Sequence, residues 1–378
     1  MTSRKTTFFS YKPKTILNKH KRADHWFWTR YSAYPYLGCQ HGCEFCYCRE
    51  QKYSPYDDPT DFSHVIKVKE NAPELLRRAL KNAPLDAIFT GDYQPAERKF
   101  ELSRRMLEVC LETGFPVFVL ERNPGVLRDL DLLRAIHEKA RAVVAFSIIS
   151  TPDSKNYYRV CQMEHLAPAA KKRFDAMQKI AAAGIPVGVS MMPILPGLCD
   201  DAANIEAVVR WTADHGGTFV LASGLTLSDQ QKEYFFGVLR TRFPDLLALY
   251  QTLYPPKSYG QIGSNWRKTA LLIRAACVKA GIRDRIPRPI VPGEKRAINK
   301  HVVELLADQL YAMELNAEPN HRLWMYRKAA WAIEDMAENI GLIHRVMGLK
   351  GLEQIPDIGQ EMGMIVERLI LESNPNST

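Results

Sequence analysis

The sequence predicts an α/β protein: a parallel sheet with helices between its strands, followed by an all-helical C-terminal segment. Two observations carry this. Short apolar runs rich in Val, Ile and Phe alternate with amphipathic stretches, and the alternation stops near residue 250. A third observation, four cysteines packed into ten residues ahead of the alternating region, points to what the sheet holds. The 378 residues suffice for one large domain and a smaller one.

The apolar runs are "LDAIFTG" (85–91), "FPVFVLE" (115–121), "AVVAFSIIS" (142–150), "IPVGVSMMPI" (185–194) and "TFVLASG" (218–224). Each reads as a buried parallel strand. Between them, "AERKFELSRRMLEVCLETG" sets Phe100, Leu102, Met106, Leu107 and Cys110 along one stripe and predicts one helix ending at Gly114. "GVLRDLDLLRAIHEKA", "APAAKKRFDAMQKIAAAG" and "DDAANIEAVVRWTADHGG" repeat the scheme. With the cysteine stretch in front, this makes about six βα units, fewer than the eight of a full barrel. The sheet is open or closed into a barrel on this reading.

After residue 250, "YPPKSYGQIGSNWRK" breaks the pattern, a helix follows near 267–280, and "GIRDRIPRPIVPGEKRAINK" reads as a linker. From 299 onward three amphipathic helices lead into "GLEQIPDIGQEMGMIVERLI". The expected organisation is therefore an N-terminal arm (1–30), the α/β domain (31–250), a linker with a helix (251–298) and a helical domain (299–373).

Charge follows these boundaries. Residues 1–30 carry a net +7, residues 257–300 a net +9 and residues 301–378 a net −6. The two basic segments can grip phosphates, or can be solvated arms and linkers. No apolar run approaches the roughly 20 residues of a membrane span. The N-terminus lacks the apolar core of a secretory signal. A cytoplasmic protein is expected, with its eight cysteines reduced and open to metal or catalytic use.

The cysteines lie in "GCQHGCEFCYCRE" as Cys39, Cys43, Cys46 and Cys48. A structural zinc site draws two separated ligand pairs, and no second pair stands at that spacing. An iron–sulfur cube binds each thiolate at a different iron, so three thiolates leave one iron open for chemistry.

Cys39-x3-Cys43-x2-Cys46 resembles the signature of the radical S-adenosylmethionine (SAM) superfamily. "YPYLGCQHGCEFCY", "TGDYQPAE", "VLERNPGVLRDLDLL", "FSIISTPD" and "PILPGLCDD" are similar to its spore photoproduct lyase-like branch. The resemblance spans residues 15–245. It implies a partial (β/α)6 TIM-type barrel with the cluster on the loop after the first strand. It implies a [4Fe–4S] cluster held by Cys39, Cys43 and Cys46, with SAM chelating the open iron. SAM is then cleaved reductively to a 5′-deoxyadenosyl radical that abstracts hydrogen from the substrate.

Residue roles follow from the resemblance position by position. Phe45 packs near the adenine. Thr90, Gly91 and Asp92 hold the SAM amino group, Asp92 being equally a candidate helix cap. Arg122 stands where the branch has a lysine for the SAM carboxylate, and keeps the charge. Ser147 matches a serine that contacts SAM. Glu164 and Arg173 match a recurrent Glu and Arg, or simply pair on a surface. Pro193, Pro196 and Gly197 shape the turn after the fifth strand. In the lyase a cysteine in the second-strand region returns a hydrogen atom; "IFTGDYQPAE" has none. Cys48 is an extra thiol beside the cluster, a candidate hydrogen-atom donor or redox tuner, or a small buried residue.

The C-terminal segment resembles the N-terminal helical domain of the DNA polymerase beta family, ending in a helix-hairpin-helix. Asp357 replaces the first hairpin glycine, Gly359 is kept, and Gln360 and Glu361 stand where DNA-binding hairpins favour Lys. Together these features imply a radical SAM enzyme acting on a nucleic acid, DNA ahead of RNA, in repair or modification. Its electron donor would be flavodoxin or ferredoxin, and no membrane is involved. The alternative is a peptide or small-metabolite substrate, with the C-terminal module as a docking domain.

Overall fold

The computed structural model describes residues 5–261 and 265–373. Residues 1–4 of the expected arm and 262–264 of the expected linker lie outside the described residues. Among the described residues ten strands follow in chain order: β1 (Thr7–Tyr11), β2 (Asn18–Lys19), β3 (Tyr31–Ser32), β4 (Tyr36–Leu37), β5 (Val65–Lys69), β6 (Ile88–Phe89), β7 (Val117–Glu121), β8 (Ala142–Ser147), β9 (Val187–Ile194) and β10 (Phe219–Gly224). The main sheet has seven strands in the order β10-β9-β8-β7-β6-β3-β2. Six of them, β3 and β6 to β10, run parallel, the number of units read from the sequence; β2 is antiparallel at one edge.

The helices are α1 (Ala72–Leu80), α2 (Glu97–Phe100), α3 (Leu102–Thr113), α4 (Leu130–Lys139), α5 (Tyr157–Met163), α6 (Ala170–Ala182), α7 (Ala202–Asp214), α8 (Asp229–Arg242), α9 (Leu247–Leu253), α10 (Asn265–Ala280), α11 (Ala297–Leu315), α12 (Asn320–Asp335), α13 (Ile340–Glu353) and α14 (Gln360–Ser373). None of the described helices is long and apolar enough to cross a membrane.

Strand alternation gives the sheet two apolar faces. Val117 and Val119, Val144 and Phe146, and Val187 and Val189 face one side and pack with helices α1, α3, α4, α6 and α7. Phe118, Val143, Ala145, Phe219 and Leu221 face the other. That second face is covered by Trp28 of the arm, Ile286 of the linker, and Val302, Val303 and Leu306 of α11. Each such side chain, once buried, contributes roughly 1.5–3 kcal/mol.

The arm and linker are thus built into the fold. β1 pairs with β5, and β5 with β4, in a three-stranded sheet that the sequence reading missed. Asp24 accepts from the backbone N–H groups of Trp26, Phe27 and Thr29, and so shapes the turn that delivers Trp28. Trp28 takes a left-handed backbone (φ 55°) and donates its indole N–H to Ile286 O at 3.1 Å. Burial holds it in that costly conformation. In the linker, Arg283 bridges onto β10 at Phe219. Its side chain pairs with Glu304 and Asp308. Arg288 pairs with Glu334, and Lys300 with Glu294. Arg285 stacks on Trp26 and Tyr311. Four cations that the charge count offered to phosphates are therefore engaged by the fold, three of them buried.

The single helix expected over 96–114 is two. Glu101 adopts φ 49° and breaks it, and the Glu97 carboxylate caps α3 by accepting from Ser103 N and Arg104 N. Phe100 then leaves the predicted stripe and packs against Phe8 and Tyr36 instead. In the C-terminal segment the four helices stand close to their expected places. Gly348 (φ 61°) kinks α13, and Asp357 (φ 63°) takes the left-handed turn before α14.

Candidate radical SAM site

The site sits at the C-terminal ends of β6, β7 and β8, where the cysteine loop follows β4. Two glycines let this loop fold tightly. A Cβ at Gly38 (φ +78°) would meet Val65 O at 2.6 Å, and one at Gly42 (φ +57°) would meet Ser63 Cβ at 3.1 Å. Backbone bonds Gly42 N→Cys39 O and Cys46 N→Cys43 O, 3.0 and 3.2 Å, curl the chain between the thiols. The buried Arg49 then clamps it, donating to Cys43 O, Gly42 O and Pro59 O at 3.2, 3.1 and 2.6 Å. Its guanidinium lies between the rings of Phe62 and Tyr234.

The three expected ligands lie together, and their thiols feel one another. Burial pushes Cys43 up to about 11 and Cys39 well above the ordinary thiol range. Cys46 is lowered to about 6, first because the Cys48 thiol donates to it. Among the described residues, no three His, Cys, Asp or Glu side chains close around a single ion. Ligands spread over separate irons need no such convergence.

Gln94 ties this loop to the segment after β6. It donates to Gly38 O at 3.0 Å and accepts from Gln40 N at 3.0 Å, while its amide also donates to Asp92 Oδ2 at 3.1 Å. Gly91 (φ +99°) needs its missing side chain, because a Cβ would stand 3.0 Å from Val119 Cγ1. Thr90 is fully buried and donates to Ala33 O at 2.9 Å. Asp92 caps no helix; it turns back on Gln94 N. Burial raises its carboxyl to about 7. Behind it Glu121 accepts from Tyr93 N at 3.1 Å and is raised by burial and then by Asp92. Neither carboxylate has an ion-pair partner among the described residues.

Opposite stands the reverse imbalance. Arg122, following β7, stacks on the Phe45 ring at 5.2 Å and donates to Glu164 and to Met192 O. The other oxygen of Glu164 accepts from Arg173 at 2.7 Å, and Arg173 also donates to Ser147 O at 2.8 Å. Glu164 and Arg173 are buried, which corrects the surface-pair alternative. Two arginines share one carboxylate, so the triad keeps a buried surplus of one positive charge. A buried charge left uncompensated is costly.

A site with surplus positive charge at Arg122 and, at Asp92, a carboxyl that lacks a cationic partner and that burial raises suits a zwitterion, whose ammonium would favour the charged carboxylate. The carboxylate and ammonium of the methionyl part of SAM match these ends. The three-thiol loop beside Arg122 is the donor set of an iron–sulfur cube. The residues present therefore fit both cofactors.

Sequence reading missed the residues that hold this arrangement, namely Arg49, Gln94 and His41, whose ring faces Cys39 Sγ at 3.7 Å and Asn123 at 3.4 Å. It also missed Tyr34 and Tyr47. Cys48 raises the Tyr47 phenol, and burial followed by Cys48 raises Tyr34. Pro193 lies inside β9 rather than in the turn that follows it.

Residues 34–209, just under half of the chain, match the Radical SAM superfamily. An uncharacterized protein of Mycobacterium tuberculosis (strain ATCC 25618 / H37Rv) is 27% identical over 233 residues, covering 60% of this chain and 67% of its own. An uncharacterized protein of Methanocaldococcus jannaschii is 28% identical over 255 residues, 66% of this chain and 90% of its own. A spore photoproduct lyase mutant with bound AdoMet and dinucleoside spore photoproduct aligns over 74% of this chain and 82% of that one, with a TM-score of 0.52 and 14% identity. A second lyase mutant gives 0.53 at 15% identity, over 73% and 81%. At such identity the likeness is one of fold. With the matching segment spanning the thiol loop, Asp92, Arg122 and Ser147, the chain carries a radical SAM domain and is a radical SAM enzyme whose cofactors are a [4Fe–4S] cluster and SAM.

Proposed function

We propose that this enzyme acts on a nucleic acid, DNA ahead of RNA, in repair or modification. Cys39, Cys43 and Cys46 would each hold one iron of the cluster, with the fourth left for SAM. Arg122 takes the SAM carboxylate. Asp92 takes the ammonium, with the backbone of Thr90 and Gly91. Phe45 and Ser147 flank the ligand. The cofactors, when bound, would supply radical chemistry able to abstract a hydrogen atom. The chain's own work is placement: Glu164 and Arg173 hold Arg122 in line, and Gln94 keeps the two loops in register. Cys48 is the hydrogen-atom donor in this reading.

The observation that carries the proposal is the paired charge layout at the strand ends of a lyase-like sheet. Solved structures of that fold hold a dinucleoside spore photoproduct. With Arg285, Arg288 and Lys300 buried and Arg283 paired with Glu304 and Asp308, the exposed Lys12, Lys14, Lys19 and Lys21 are available to meet phosphates. The acidic C-terminal module, read as helix-hairpin-helix-like, fits docking to a protein better than gripping DNA. A cytoplasmic setting keeps the thiols reduced.

Anisotropy titration of labelled single- and double-stranded DNA, with RNA alongside, tests the substrate. The expected result is an affinity that falls steeply with salt and rises with SAM. No binding to any of the three at low salt overturns it and favours the peptide or metabolite reading.

A further inference from the structure

Three tyrosines stand half open to solvent beside the thiol loop: Tyr47, Tyr53 and Tyr259, exposed by 50, 48 and 51%. Burying an aromatic ring is favourable, so three rings gathered together and left half open mark a contact surface. It lies where the thiol loop is least covered. Tyr47 stands between Cys46 and Cys48, which are only half-buried, whereas Gly42 and Cys43 are buried.

The rings come from two distant segments and are held in place. The Tyr47 and Tyr53 rings meet edge-on, with 5.4 Å between centroids and 86° between planes, and form a corner. Lys52 Nζ pairs with the buried Glu50 at 3.0 Å. It also lies 4.7 Å from the Tyr53 centroid and 5.7 Å from that of Tyr259, so it joins the third ring to the corner. Tyr259 donates its hydroxyl to the same Glu50 at 3.4 Å, across 209 residues of chain. The backbone fixes both segments. Tyr53 N donates to Glu50 O at 2.9 Å, and Gln51 N to Asp229 Oδ1 at 3.2 Å. Leu227 N donates to Tyr259 O at 2.8 Å, and Thr226, just past β10, bridges to Gly260.

The charge around the rings does not favour phosphate. Glu50 neutralises Lys52, and the exposed Asp57, Asp58 and Asp229 outnumber the exposed Lys257. The surface therefore offers ring faces rather than cations, and a flat, uncharged π system suits it. In a nucleic acid that part is the base. A base inside a duplex has both faces covered by its neighbours, so only an unpaired or extruded one can reach these rings.

We propose that Tyr53 and Tyr259, with Tyr47 between them and the thiols, stack an unpaired nucleobase of a single-stranded or locally opened nucleic acid. The inference rests on the nucleic-acid reading above and narrows it to unpaired bases. Stacking of this kind tolerates any base, because every base has a π face.

The test is an anisotropy titration of the full chain with a labelled single-stranded oligothymidylate, an abasic strand of the same length, and a duplex. The variants are Tyr53→Ala with Tyr259→Ala, and Tyr53→Phe with Tyr259→Phe; Tyr47 stays in place between the thiols. The Ala pair is expected to bind oligothymidylate about ten-fold more weakly, by the same factor at low and high salt. The Phe pair keeps the native affinity, since the ring and not the hydroxyl stacks. On the abasic strand and the duplex all three proteins bind alike. An unchanged affinity in the Ala pair, an equal loss on the abasic strand or duplex, or a loss that vanishes at high salt overturns the platform and leaves the nucleic-acid reading standing. So does an equal loss in the Phe pair, which assigns the effect to the Tyr259–Glu50 bond or to the fold. No binding of the native chain to any strand overturns the nucleic-acid reading, and the platform with it.

Discussion

At the residue scale the site is a matter of charge left over. Arg122 and Arg173 share Glu164, while Asp92 and Glu121 share nothing. Arg122→Ala is expected to weaken SAM binding by ten-fold or more, in line with the roughly 2–5 kcal/mol lost when one side of a buried charge contact is removed. Arg122→Lys should restore part of it, because the charge returns without the planar fork. Calorimetry on reconstituted protein checks both, and equal affinity in Arg122→Ala removes the carboxylate role. Gly91→Ala should cost about 1–3 kcal/mol, since the left-handed backbone and the Val119 contact both resist a side chain. Chemical denaturation measures it. Cys48→Ala should leave the cluster in place yet slow product formation; unchanged turnover strips Cys48 of its donor role. The proposed ligand cysteines, Asp92 and Arg122 could be put forward from the sequence because each lies in a local motif. Glu164 pairing with Arg122 across 42 residues, and Gln94 reaching back to Gly38, were not. Long-range partners leave no spacing to read.

At the scale of elements, periodicity found β6 to β10 because they lie in apolar runs of largely buried residues. It missed β1 to β5, short strands with exposed or half-buried positions that carry little apolar pattern. It also merged α2 and α3, since the break at Glu101 comes from a left-handed backbone and a reaching Glu97 side chain, neither a breaker residue. Asp357 is the matching case in the C-terminal hairpin, an Asp where glycine is at ease. Asp357→Gly should therefore raise stability by up to about 1 kcal/mol, read as a higher denaturant midpoint. A fall would mean that the Lys328–Asp357 contact at 3.6 Å outweighs the backbone relief.

At the scale of the whole molecule, the helical segment is the cover of one sheet face. Composition marked residues 251–298 as a basic linker, because charge counts do not reveal where side chains point. Arg288 lies buried between Glu334 and the Trp28 ring. A chain ending at residue 298 should expose Phe118, Val143 and Leu221 and fail to run as a folded monomer in size-exclusion chromatography. A well-folded monomer of that length would contradict the shared core. Acid should loosen the same joint. Burial alone would raise Glu334 and Glu304, but Arg288 holds the first below the usual range, and His301 with Arg283 holds the second. A carboxyl depressed in the fold adds stability above its unfolded value of about 4.3 and loses it as pH falls through the folded one. The melting temperature should thus drop as pH falls below about 4, and less so in Glu334→Gln, whose starting stability is lower.

The central claim is that three of the four clustered thiols hold the cluster and that SAM completes it. Electron paramagnetic resonance of the anaerobically reconstituted, reduced protein, with and without SAM, tests this most directly. A [4Fe–4S] signal that changes on adding SAM is predicted for the native chain and for Cys48→Ala, and its loss for Cys39→Ala, Cys43→Ala and Cys46→Ala. A signal that survives in any of those three, vanishes in Cys48→Ala, or ignores SAM in the native chain contradicts the account.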